Sequence, residues 1–181
     1  MRRIGGLRFT AIIFYSILGI TLSVHAQQGR SEITRPHDVT YNEYEISKDG
    51  VETLISTRYR TVDTEGTWKM VAKSMRTGRV NHFGPYPGHR ELWMSFQSAE
   101  FLRNHPNFSH TDKVAGFEVY VIKHYLNESQ GEWEVEESYS PVTGYTPLRT
   151  VVKFGGGTMK RIEATKVEFK DGPATQNEKK N

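Results

Sequence analysis

The chain has 181 residues, with 24 Lys and Arg, 21 Asp and Glu, and no cysteine. The lack of cysteine excludes disulfide bonds, thiolate metal sites and thiol nucleophiles. Three of the basic residues lie in the first 26 positions, so the remainder carries 21 charges of each sign, and without net positive charge no nucleic-acid partner is expected.

Residues 1–26 have the features of an export signal. Three arginines precede or begin an apolar run, Phe9–Leu22, and the small-residue cleavage pattern Val24-His25-Ala26 follows it. The run has 14 residues, whereas a membrane-spanning helix needs about 20. The sequence therefore predicts a periplasmic or secreted protein that starts at Gln27 and has no membrane span after cleavage, with a retained anchor as the alternative.

The exported part is predicted to be one β-rich domain, 39–170, between two polar ends. Residues 27–38 are polar and contain Pro36, which predicts an irregular lead-in. Residues 171–181 contain Ala174 as their single apolar member and predict a disordered tail. The domain is long enough to bury one core without disulfide or metal support.

Alternating apolar residues predict three strands in the first half of the domain. Val39–Ser47 is the first, with a slip in spacing between Tyr41 and Tyr44 that indicates a bulge. Leu54–Val62 and Thr67–Arg76 form a hairpin joined by four residues.

Pairing Val62 with Thr67 gives this hairpin two different faces. Tyr59 then lies opposite Met70, and Thr61 opposite Trp68, on an apolar face. The other face is basic and carries Arg58, Arg60, Lys69 and Lys73. It is predicted either to be neutralised by Glu132, Glu134 and Glu136 of another strand or to hold an anionic or amphipathic ligand.

A loop and one helix are predicted to follow. Thr77–His89 is rich in Gly and Pro, which predicts a long loop. Arg90–Asn104 is the helix candidate, and its best supported part is a short helix over Ser95–Asn104 with Ser98 as N-cap.

The second half predicts four more strands, which are Gly116–Leu126, Glu132–Tyr139, Leu148–Phe154 and Thr158–Lys170. The predicted fold class is mainly β (α+β), with six to seven antiparallel strands in hairpin order and one short helix packed on the sheet.

Two segments of the second half carry family-like motifs. The first, Val114–Val121, begins with Val-x-Gly. The second, Ser140–Arg149, contains Ser-Pro-x-x-Gly followed by Pro-Leu-Arg, and the last predicted strand follows it with Glu163–Phe169. These features resemble the later strands of the secreted bacterial lipoprotein carriers LolA and LolB. The resemblance implies a curved antiparallel sheet wrapped over a helical lid and enclosing an apolar groove.

The sequence contains no recognised catalytic or cofactor motif. A metal-assisted hydrolase is possible if three of four histidines converge on one metal ion. These histidines are His82, His89, His105 and His110, and their spacing matches no known ligand pattern. There is no Gly-x-Ser-x-Gly turn and no phosphate loop. We therefore assign no catalytic residue, metal ligand or cofactor.

The leading functional hypothesis is a non-catalytic exported protein that binds a lipid or another amphipathic or apolar ligand in a sheet-lined groove near the cell envelope. The predicted wall residues are Tyr59, Trp68, Met70, Trp93 and Phe101. The groove is expected under the helix and the loop Gly78–His89. The alternative is a structural or protein-interaction module of the envelope, which binds another envelope protein and no small ligand.

Overall fold

A computed structural model describes residues 33–128, 131–154 and 157–170 of the chain. The predicted export signal, most of the lead-in and the predicted tail lie outside these residues, so those predictions stay untested.

Within the described residues, nine antiparallel strands form one open sheet. The strands are β1 (His37–Ile46), β2 (Glu52–Val62), β3 (Trp68–Ser74), β4 (Val80–Tyr86), β5 (Phe108–Val114), β6 (Phe117–Glu128), β7 (Gly131–Tyr139), β8 (Pro147–Phe154) and β9 (Gly157–Phe169). Two helices, α1 (Arg90–Phe96) and α2 (Ala99–Arg103), lie between β4 and β5. The predicted mainly β class and hairpin order are confirmed, but the predicted number of strands is wrong.

The order across the sheet is β4-β3-β2-β1-β9-β8-β7-β6-β5. Two hairpin series therefore meet at the centre, where β1 pairs with β9. The two helices connect one edge strand to the other, because β4 and β5 lie at opposite ends of the order.

The two strands that sequence analysis missed are these edge strands. All seven residues of β4 are exposed, and β5 buries Val114 alone. An edge strand with both faces in water has no reason to alternate apolar and polar residues, so its pattern is lost. The prediction of Thr77–His89 as a loop is therefore wrong. The strand β4 tolerates Pro85 because this residue lies at the bulge, where no backbone N–H is needed for the ladder.

The register of the β2–β3 hairpin differs by one residue from the prediction. Val62 pairs with Trp68 and Arg60 with Met70. The reason is the turn, in which the Asp63 carboxylate accepts hydrogen bonds of 2.9 Å from the backbone N–H groups of Glu65 and Thr67. Asp63 and Thr67 thereby pair with each other, and the loop has three residues instead of four.

The register change overturns the predicted division into apolar and basic faces. Side chains directly opposite each other in neighbouring strands lie on the same face. Arg58 and Arg60 therefore share a face with Met70 and Trp68, while Lys69 and Lys73 lie on the opposite face.

The single predicted helix over Ser95–Asn104 is two helices. α1 ends at Phe96, and Ser98 has an extended backbone with φ −95° and ψ 117°, which cannot continue a helix. The Oγ of Ser98 accepts a hydrogen bond of 3.1 Å from the backbone N–H of Phe101. The prediction of Ser98 as an N-cap is thus confirmed.

The sheet is strongly curved. β5 and β9 contact each other although three strands separate them in the sheet order, which would place them about 19 Å apart if the sheet were flat. The rings of Phe117 and Phe169 meet at 6.1 Å between centroids. Register shifts interrupt most of the ladders, and such irregularities bend and twist the strands.

We call inner the face of the sheet that carries His37, Val39 and Tyr41, because His37 on this face contacts Trp93 of α1. The opposite face is called outer. Beneath the helices, Phe96 and Leu102 form a buried cluster with Tyr120, Ile122 and Tyr139. A second cluster joins β1, β8 and β9 to the β5–β6 hairpin and consists of Val39, Tyr41, Val114, Val119, Leu148 and Ala164.

Trp93 anchors α1 and is 1% exposed. A Cβ atom on Gly66, in the β2–β3 turn, would lie 2.6 Å from its Nε1. A Cβ atom on Gly144, in the loop after β7, would lie 2.7 Å from its Cε3. The indole ring therefore fits only because both neighbours are glycine.

Replacing Gly66 by Ala should destabilise the protein more than replacing Gly50 by Ala. Both glycines have positive φ, +73° and +79°, so both variants bear the roughly 1–2 kcal/mol cost of a side chain in the left-handed region. Gly50 has open space around it, whereas Gly66 would press on Trp93 and add about 1–3 kcal/mol. Urea unfolding of the two variants checks this, and equal losses would contradict the anchoring role of Trp93.

The buried His37 should make stability depend on pH. Its Nδ1 lies 2.8 Å from the Arg35 carbonyl oxygen, and burial lowers its pKa from 6.5. The unfolded chain binds a proton at this histidine more readily than the folded chain does. The free energy of unfolding is therefore highest above pH 6.5 and decreases as the pH falls below that value. His37→Asn should flatten this fall between pH 7.5 and 5 in urea titrations; parallel curves for the two proteins would refute the assignment.

Candidate functional site

Two hollows lie side by side along β2, β3 and β4. The larger is about 520 Å³ and is lined by Pro36, Thr61, Val62, Asp63, Thr67, Trp68, Lys69, Pro85 and Lys170. The smaller is about 380 Å³ and is lined by Tyr59, Thr61, Lys69, Met70, Val71, His82, Phe83 and Gly84. Because Thr61 and Lys69 line both, we call the pair the β2–β4 groove. Its volume is in the range of small-molecule sites.

A glycine in β4 brings the walls of the groove together. Gly84 has φ +89°, and a Cβ atom there would lie 2.7 Å from the backbone oxygen of Trp68. The bulge at this point moves the pairing from Met70 with Phe83 to Trp68 with Tyr86. As a result the rings of Trp68 and Tyr86 lie 4.6 Å apart at the end of the strand.

The groove has aromatic walls that remain in contact with solvent. Tyr59 is 41% exposed, and Phe83 is 39% exposed. The Tyr59 hydroxyl donates a hydrogen bond to Asp38, and this bond raises the pKa of Tyr59 to about 12. Asp38 in turn pairs with Lys170 at 2.8 Å, so the tyrosine ring is held in place.

Lys69 gives the groove an available positive charge. It is exposed, lines both hollows, and makes no ion pair among the described residues. The other charged groups of the groove are engaged, since Lys170 pairs with Asp38 and the Asp63 carboxylate holds the turn. An apolar wall with one cation suits an amphipathic or anionic molecule.

The structure brings together three of the five predicted wall residues. Tyr59 and Met70 line the smaller hollow and Trp68 the larger. Trp93 is core, and Phe101 lies on α2, where its ring is 5.4 Å from that of Phe96. No residue of either helix lines the β2–β4 groove, although Trp93 of α1 packs with Val62 and Trp68 beside the larger hollow.

Several groove residues were missed because β4 was predicted as loop. His82, Phe83, Gly84 and Pro85 all belong to that strand. The signal that sequence reasoning could have used is the aromatic pair Phe83 and Tyr86 in a Gly/Pro-rich segment, since exposed aromatic residues near Gly and Pro often line binding surfaces.

The four candidate metal-binding histidines do not converge. His82 and His110 lie on strands at opposite ends of the sheet order, while His89 precedes α1 and His105 follows α2. In the part of the chain that the structure describes, no three His, Asp or Glu residues come together to hold a metal ion. The geometry of the described residues therefore gives the hydrolase hypothesis no support.

The predicted neutralisation of the basic face by a glutamate face is wrong. Glu136 accepts from Lys123 at 2.9 Å and from Lys153 at 2.8 Å, on the neighbouring strands β6 and β8. Burial opposes ionisation of Glu136, but these two cations outweigh it and lower its pKa to about 2. Glu134 uses the same two lysines.

Arg58 has its own carboxylate on the inner face. Glu43 is 5% exposed and accepts hydrogen bonds from Arg58 Nε at 3.1 Å and from Ser56 Oγ at 2.8 Å, and Arg58 Nη2 forms an ion pair with it at 2.8 Å. Burial raises the pKa of Glu43, but these hydrogen bonds outweigh it and the net pKa is lowered. Glu43 is therefore ionised at neutral pH and needs Arg58 as its counterion.

Among the described residues, neither helix is long and apolar enough to cross a membrane.

No protein-family model and no curated protein sequence matches the chain. Among solved structures, the chain is similar to MucB, with a TM-score of 0.37 and 16% identity over 83% of this chain and 59% of that chain. It is also similar to a domain assigned to outer membrane lipoprotein sorting in Vibrio parahaemolyticus, with a TM-score of 0.22 and 11% identity over 80% of this chain and 88% of that chain. The chain thus spans about three fifths of MucB, and TM-scores below 0.5 do not establish a common fold.

Replacing Arg58 by Met should destabilise the protein by about 3 kcal/mol, because it leaves Glu43 buried without its main partner. The double variant Arg58→Met, Glu43→Gln should recover most of this loss, since no charge is then left unpaired. Urea unfolding at pH 7 measures both. If the double variant is no more stable than the single one, the pair is not what holds these strands.

Proposed function

We propose that the protein is an exported, non-catalytic binding protein of the cell envelope that takes an elongated amphipathic or apolar ligand into the β2–β4 groove. The observation that carries this proposal is the groove itself, which combines two adjoining hollows, solvent-exposed aromatic walls and one available lysine. The export signal predicted from the sequence supports the envelope location.

The chemistry of the walls favours an apolar chain with an anionic end. Val71, Met70 and the ring of Tyr59 offer apolar contact in the smaller hollow. Lys69 lies where the two hollows meet and can pair with a carboxylate or phosphate. The backbone around Gly84 is held close to β3, so the groove needs little rearrangement to bind.

A protein-interaction module is the second candidate, and the exposed edge strand β4 favours it. Every residue of β4 is exposed, and Val80, Phe83 and Tyr86 are apolar. An open edge of this kind can accept an added strand from a partner protein.

Filling the smaller hollow should abolish ligand binding. We expect the wild-type protein to bind a fluorescent fatty acid and Val71→Trp to bind it at least about tenfold more weakly, because the indole would occupy the space beside Tyr59 and His82. Thr57→Trp is the matched control, since Thr57 lies on the same outer face of β2 outside the groove and should leave affinity unchanged. Fluorescence titration provides the affinities.

Native mass spectrometry of gently purified protein complements the titration. Co-purified lipid in the wild-type protein and its loss in Val71→Trp would agree with the proposal. A wild-type protein that carries no lipid and binds no fatty acid would instead favour the interaction module, and equal binding by Val71→Trp would move the site away from the groove.

A further inference from the structure

Arg60 differs from the other arginines of the described sheet in having no acidic partner. It lies two residues from Arg58 on the inner face of β2, but where Arg58 meets Glu43, Arg60 has Val39 and Met70 as its cross-strand neighbours. Arg149 and Arg161, on β8 and β9, also have carboxylate partners. No carboxylate of the described residues pairs with Arg60.

Aromatic side chains surround the Arg60 guanidinium. It stacks on the Trp68 ring with its Cζ 4.1 Å from the ring centroid, and the Tyr41 hydroxyl is near enough to act on it electrostatically. Tyr139 and Tyr145 are near enough to act on it electrostatically. Its Nε is buried and has no hydrogen-bond partner within the described part of the chain. Burial lowers the pKa of Arg60, which reflects the cost of holding a charge there.

The inner face around Arg60 is only partly buried. Arg60 itself, Met70 and Ala72 of β3, and Thr150 and Ile162 across the curved sheet are all only partly buried. The helices cover the adjoining part of this face, where Phe96 and Leu102 lie over Tyr120, Ile122 and Tyr139, and Trp93 of α1 packs with Trp68 and Tyr145. A planar guanidinium with an unused N–H group beside partly exposed apolar side chains matches the geometry of carboxylate and phosphate oxygens.

We propose that Arg60 is an anion-binding site on the inner face, which takes a carboxylate or phosphate carried by an apolar or aromatic molecule. The anion would pair with the exposed part of the Arg60 guanidinium, and Trp68 and Tyr145 would contact the body of the molecule. This site is separate from the β2–β4 groove, whose smaller hollow lies among the outer-face residues Tyr59, Val71 and His82. Two residues are shared. The Trp68 ring contacts Arg60 and Trp68 also lines the larger hollow, and Met70 pairs with Arg60 and also lines the smaller hollow.

The test compares anionic and neutral probes that have the same ring. Benzoate, phenyl phosphate and benzyl alcohol are titrated at low salt while tryptophan fluorescence and thermal stability are recorded. We expect at least one of the two anions to bind the wild-type protein at least about tenfold more tightly than benzyl alcohol. The two anions distinguish carboxylate from phosphate, and inorganic phosphate alone shows whether the apolar body is needed.

Arg60→Met should remove the preference for anions, bringing the benzoate and benzyl alcohol affinities to a ratio near one. Its unfolding free energy without ligand should equal or exceed that of the wild-type protein, because an unpaired charge has been replaced by an apolar side chain of similar length. Lys73→Met removes one exposed charge from the outer face and should keep the preference. Arg60→Lys keeps the charge but loses the planar donor pair, so it should bind the anion about tenfold more weakly and serves if Arg60→Met does not fold.

Three results would overturn the proposal. The first is equal binding of the anions and benzyl alcohol by the wild-type protein. The second is an Arg60→Met variant that keeps the preference for anions. The third is a loss of stability in Arg60→Met together with normal anion binding by Arg60→Lys, which would mean that Arg60 has a structural role. Val71→Trp separates the two proposals: it should leave benzoate binding at Arg60 intact even if the groove is found to bind no fatty acid.

Discussion

The close fit of Trp93 between two glycines is the contact on which the arrangement of this fold depends. Gly66 belongs to the β2–β3 turn and Gly144 to the loop between β7 and β8, so one indole joins both halves of the sheet to α1. The ladder between β1 and β9 holds the halves edge to edge, while Trp93 determines where the helix pair lies. The same turn contributes Asp63 and Thr67 to the groove, so the contact between Gly66 and Trp93 also fixes part of the groove wall.

Charge pairing separates the structural charges of the sheet from the candidate binding charges. Glu43 with Arg58, and Glu134 and Glu136 with Lys123 and Lys153, are cross-strand arrangements in which every charge has a partner. Lys69 and Arg60 lack such partners among the described residues, and they lie on opposite faces of neighbouring strands. A cation without a counterion is available to an anionic ligand, and leaving it unpaired costs more free energy at the partly buried Arg60 than at the exposed Lys69.

The candidate site was predictable as a region but not in its geometry. Sequence patterns placed Tyr59, Trp68 and Met70 on one hairpin, and the structure confirms that hairpin. The predicted shared face was wrong, because hydrogen bonds from the Asp63 carboxylate shorten the turn by one residue and a one-residue slip changes which side chains share a face. Arg60 thereby moved from a predicted basic face to an apolar inner face beside Trp68.

The sequence by itself determined the mainly β class, the order of the hairpins and the N-cap at Ser98, because each of these depends on neighbouring residues. Tertiary structure alone decided the two edge strands and the position of the groove. β4 and β5 bury too little to leave an alternating pattern, and the curvature depends on contacts such as Phe117 with Phe169 between strands that are distant in sheet order. Local patterns carry no information on contacts of that range, since they arise only when the whole sheet packs against its own core.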